Sequence, residues 1–83
     1  MPSQLQDVQA STLLRFRKES GKTLRQVADE AHIAFAYLSE IERSKAVPSP
    51  HILDSLLKCF NVTPDKWYQE QLITYNKKEE TNG

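Results

Sequence analysis

At 83 residues, 39% apolar and 27% charged, the chain has the composition of one small globular domain and not of a disordered segment. Eleven basic residues balance eleven acidic ones, so no strong net field draws it to a polyanion or a membrane surface. No run is long enough to span a bilayer, and MPSQLQDVQ lacks the charged-then-apolar order of a leader, so a cytoplasmic protein is expected.

Two glycines, four prolines and apolar residues at helical spacing predict an all-α fold. A first helix is expected from about Asp7 to Ser20, with Ala10, Leu13, Phe16 and Arg17 on one face, Leu14 beside them and Gly21 as the stop. Thr23 can cap a second helix, and Gln26 three residues on completes a capping box. Leu24, Val27, Ala28 and Ala31 fall at i, i+3, i+4 and i+7, one apolar stripe. Ala34, Tyr37, Leu38 and Ile41 repeat that spacing in a third helix, from about Ala34 to Arg43. Only His32 and Ile33 separate the two stripes. Apolar faces this close in sequence share a core only if their helices cross steeply, as in a helix-turn-helix over residues 24–43. The outer face of the third helix is then free to enter a DNA major groove.

The segment from Ser44 to Pro50 reads as a loop, with Ser49 as the cap and Pro50 as the first residue of a fourth helix ending near Phe60. Its stripe is Ile52, Leu53, Leu56, Leu57 and Phe60, and the single cysteine, Cys59, lies inside it as a buried, inert thiol. Asn61 suits the left-handed stop, and Thr63-Pro64-Asp65 opens a fifth helix carrying Trp67, Tyr68, Leu72, Ile73 and Tyr75. Residues 1–76 form a single domain, and residues 77–83 read as a disordered tail.

Charge is unevenly placed. Arg15, Arg17, Lys18, Lys22 and Arg25 face a single opposing charge, Glu19, within eleven residues, and Arg43 with Lys45 forms a second basic group. The two groups bracket the helix-turn-helix, where phosphates would lie.

The order GKTLRQVADEAHIAFAYLSEIERSKAVPS resembles the lambda-repressor-like (Cro/C1, XRE) helix-turn-helix domain. The matching features are Gly21, Thr23, Val27-Ala28, Ile33, Tyr37-Leu38-Ser39-Glu40-Ile41-Glu42, Pro48-Ser49 and the closing NVTPDKWY; they cover residues 13–68. TLRQVA and YLSEIERSK look closest to small Gram-positive and actinobacterial regulators. The resemblance implies a compact five-helix bundle that binds double-stranded DNA through its third helix. It also implies a structural ion pair between Arg17 and Glu42. Three positions depart from the pattern: His32 stands at the glycine of the turn, Ala34 at the Ser/Thr cap, and Leu24 at a glutamine that often touches phosphate.

In this docking mode Ala34, Phe35, Ala36, Ser39 and Glu40 would meet base edges, and Thr23, Arg25, Tyr37, Arg43 and Lys45 would meet phosphates. The first turn of the third helix holds no Arg, Asn or Gln for bidentate readout, which leaves apolar contact with thymine methyls, Ser39, and Glu40 accepting from cytosine. Trp67, Tyr68, Leu72, Ile73 and Tyr75 exceed what one helical face can bury, so some of this surface is expected to form a homodimer interface, the alternative being plain core packing of Trp67 and Leu72 with the rest exposed. His32 and His51 are isolated and no catalytic constellation or phosphate loop stands out; no enzyme, cofactor, metal or small-molecule ligand is expected. Two functions stay open: a nucleoid-associated transcriptional regulator, in particular a repressor on an inverted repeat, or a protein-interaction module using the apolar third helix.

Overall fold

The structure, a computed structural model, describes residues 4–82, with side chains from Leu5 to Asn76. Five helices follow one another: α1 (Gln4–Glu19), α2 (Leu24–Ala31), α3 (Phe35–Glu42), α4 (Pro50–Cys59) and α5 (Pro64–Asn82). No strand occurs among the described residues. The fold is the all-α, five-helix bundle anticipated from the apolar spacing. Helix α1 begins before Asp7, because LQDVQ carries no Pro or Gly to stop it.

Helix ends follow local chemistry. Thr23 Oγ1 accepts from Gln26 N at 3.1 Å, and Gln26 Oε1 accepts from Thr23 N at 2.8 Å, a complete capping box. Ser49 Oγ accepts from Ile52 N ahead of Pro50, and Thr63 Oγ1 accepts from Lys66 N ahead of Pro64. Ala34 offers α3 no side-chain cap. Helices α1 to α4 stop by one device: a left-handed residue, Gly21, His32, Ser44 or Asn61, turns the chain just past each end. Each turn is closed by paired backbone bonds, as where Ile33 N donates to Ala28 O at 3.0 Å and His32 N to Asp29 O at 3.3 Å. Three of these four residues are not glycine and hold strained φ values between 55° and 62°.

The core gathers Leu13 and Phe16 of α1, Val27, Ala28 and Ala31 of α2, Leu38 and Ile41 of α3, Leu56 and Leu57 of α4, and Trp67 of α5. The Phe16 ring lies between Phe60 and Trp67, with centroids 6.3 and 6.2 Å away. Trp67, expected on a dimer surface, is thus a core residue, 8% exposed. Leu72, Tyr68, Ile73 and Tyr75 stay between 40% and 65% exposed, because α5 turns Glu70 and Thr74 toward α1 instead. Helix α5 also continues through residues 77–82, the stretch read as a tail from sequence. Lys and Glu are good helix formers, and no breaker intervenes before Gly83.

Candidate nucleic-acid interface

Helices α2 and α3 pack through Val27, Ala28, Ala31, Leu38 and Ile41, which leaves the opposite side of α3 in solvent. Ala34, Phe35, Ala36 and Glu40 are exposed there, and Ser39 is half-buried. Ala34 precedes α3 as its N-cap, and the other four lie within the helix. Phe35 keeps 41% of its area in solvent, an unusual position for a phenylalanine.

The basic groups divide into cations spent inside the protein and cations left outside. Arg17 Nε meets Glu42 Oε2 at 2.7 Å and Arg17 Nη2 meets Glu42 Oε1 at 3.1 Å, a two-pronged pair joining α1 to the end of α3. Arg15 Nη1 lies 2.7 Å from Glu70 Oε1, and Lys22 Nζ lies 2.7 Å from Glu30 Oε1 and donates to Cys59 O. Three of the five cations in the Arg15–Arg25 run are therefore neutralised within the fold, so this run is not a phosphate patch as a whole. Arg25, Arg43 and Lys45 are exposed and have no carboxylate partner among the described residues.

Each expected phosphate-binding residue has a defined setting. Thr23 is exposed at the α2 N-terminus, and its hydroxyl accepts from Gln26 N, which leaves its proton for an outside acceptor. That helix end also supplies free backbone amides and the positive end of the helix dipole. The Tyr37 hydroxyl is turned to the loop, donating to Val47 O at 3.3 Å. The Arg43 side chain folds back at the end of α3, Nε donating to Ser39 O at 3.4 Å. Arg25 lies over the Phe35 ring, its guanidinium carbon 4.8 Å from the centroid. Sequence spacing gave no sign of this contact, since it joins two helices ten residues apart.

A clamp at the far end of α3 also escapes sequence reasoning. Gln6 Nε2 donates to Ser44 O at 2.8 Å, and Ser44 Oγ donates to Asp7 Oδ1 at 2.6 Å. Helix α1 thereby holds the loop that carries Lys45, which fixes the second basic group relative to α3. Cys59 is half-buried; burial pushes its thiol pKa up, the Glu30 charge adds to that, and Lys22 opposes it.

The helix-turn-helix family profile matches residues 13–67. The chain belongs to the Cro/C1-type helix-turn-helix family. The transcriptional regulator ClgR of Mycobacterium tuberculosis is 38% identical to it over 56 residues, 68% of this chain and 50% of that protein. The chain spans about half the length of the curated relatives it matches. Among solved structures, the clp gene regulator ClgR of Corynebacterium glutamicum superposes with a TM-score of 0.89 at 23% identity, covering 99% of this chain and 87% of that one. A mutant of the restriction-modification controller protein C.Esp1396I superposes with a TM-score of 0.82 at 21% identity, covering 87% and 91%. At those identities the two structures attest the shared helix-turn-helix fold. No helix among the described residues is long and apolar enough to cross a membrane.

Proposed function

We propose that this helix-turn-helix chain is a sequence-specific, double-stranded DNA-binding transcriptional regulator that acts as a homodimeric repressor in the bacterial cytoplasm, on the nucleoid. One observation carries the reading: the exposed face of α3 is flanked by Arg25, Arg43 and Lys45, cations with no carboxylate partner among the described residues. With α3 in the major groove, Arg43, Lys45, Thr23 and the α2 amides fall toward the phosphates on either side. The regulator names borne by its relatives accord with this.

The exposed strip of Tyr68, Leu72, Ile73 and Tyr75 on α5 supports a two-fold dimer. Two recognition helices so related would read an inverted repeat with half-sites about 34–36 Å apart. Occupying a promoter in this way excludes polymerase without any further device, so repression needs only binding.

The test is a fluorescence-anisotropy titration of the protein against genomic duplex fragments at two salt concentrations. Tight binding to a subset of fragments that weakens steeply with salt is the expected result. No binding to any fragment at low salt, with a protein partner held by α3 instead, would overturn the reading in favour of an interaction module. Arg43→Ala should weaken binding to all fragments about equally, because a phosphate contact carries no sequence information.

A further inference from the structure

We infer that Arg25 reads a base and does not merely hold a phosphate, and that Phe35 positions it, so that the pair selects a guanine next to a thymine. The inference rests on the DNA-binding reading above and assigns the guanine specificity that α3 lacks. Ala34, Phe35 and Ala36 offer no donor fork, and Ser39 and Glu40 cannot make a bidentate bond to guanine. The fold supplies the fork from the neighbouring helix. Arg25 sits in the first turn of α2, and its guanidinium lies 4.8 Å from the centre of the Phe35 ring at the start of α3.

Two properties of this arrangement favour a base edge over a phosphate. A guanidinium held over an aromatic face keeps its planar fork of N–H donors for partners in its own plane. Nothing among the described residues takes those donors: no ion pair and no side-chain hydrogen bond involves Arg25. A free surface arginine must also lose rotamer freedom on binding a base, whereas one held on a ring has lost part of it already. Phe35, still 41% exposed, keeps apolar surface for a thymine methyl beside the guanine. Exposed Phe35 then has a use that neither core packing nor capping gives it.

Site selection from a randomised duplex library tests this with the native protein, Arg25→Lys, Phe35→Leu and Phe35→Tyr. All three substitutions fall on exposed positions, so the fold is kept. The native protein should select guanine beside thymine. Arg25→Lys keeps the charge and the salt dependence, yet should lose preference for that guanine by on the order of tenfold to a hundredfold. Phe35→Leu should lose part of the same preference, and Phe35→Tyr, which keeps the ring, should retain it. If Arg25→Lys selects the same guanine as strongly, or weakens every duplex alike, Arg25 is a phosphate contact and the inference fails while the DNA reading stands. If the native protein selects no sequence at all, the DNA reading fails and the inference with it.

Discussion

Arg17 grips Glu42 through two hydrogen bonds, 2.7 and 3.1 Å long, and its third nitrogen, Nη1, donates to the Lys22 carbonyl at 2.9 Å. The side chains are only 14% and 7% exposed, so the pair ties α1 to the end of α3 in a place that water barely reaches. Removing one partner leaves the other charge buried alone. Arg17→Met should therefore cost about 3–5 kcal/mol in urea unfolding. Arg17→Met combined with Glu42→Leu should recover part of that loss, since two apolar groups leave no orphan charge. A loss below about 1 kcal/mol for the single variant would mean that the pair behaves as a surface bridge.

His32 occupies the left-handed turn between α2 and α3 with φ 59°, and its side chain is exposed. Glycine takes that conformation without a Cβ penalty. His32→Gly should raise stability by about 1 kcal/mol, the backbone gain outweighing the entropy that glycine adds to the unfolded chain. His32→Val should lower it, because a β-branched residue fits this region worst. Thermal melts of the two variants moving in the same direction would refute the strain argument.

The apolar strip on α5 makes a prediction about assembly. Leu72→Asp together with Ile73→Asp places two charges on exposed positions and leaves the Trp67 core contact alone. The double variant should fold normally by circular dichroism, sediment as a monomer and lose most affinity for a two-half-site duplex. A variant that still sediments as a dimer would place the interface elsewhere.

Cys59 should be a slow thiol. Its pKa is raised above the ordinary 9.0, chiefly by burial, so the native protein holds the proton to higher pH than the unfolded chain does. The stabilising effect is full below 9.0 and is lost as pH rises through the native value. Iodoacetamide at pH 8 should alkylate the native protein more slowly than the urea-unfolded chain, with the native rate climbing only at more alkaline pH. Equal rates in the two states would show that Cys59 is neither shielded nor shifted.

What could be read from sequence was local. The capping box of Thr23 and Gln26, the Ser49-Pro50 start and the left-handed Asn61 are short-range patterns, and each has its stated geometry. The stripes of α2 and α3 likewise fix which face of α3 is outside. Contacts that join distant segments had no such signal: Gln6 and Asp7 on Ser44, Arg15 on Glu70, Lys22 on the Cys59 carbonyl, and Arg25 on Phe35. Two of these cations, Arg15 and Lys22, are neutralised by Glu70 and Glu30 in contacts that a count of charges does not show. A count of basic residues overstates the phosphate-binding surface for that reason. Ser44 shows the same limit in the backbone: serine carries no preference for φ 62°, and the turn is held by bonds from α1.

The account stands on the α3 face and the unpaired cations around it meeting DNA. The most direct measurement is an amide chemical-shift titration of the ¹⁵N-labelled protein with a selected duplex. The predicted result is a contiguous set of perturbed amides at Thr23 to Gln26, Ala34 to Glu40, and Arg43 to Lys45, with α4 undisturbed. Perturbations confined to α5, or none at low salt, would contradict it.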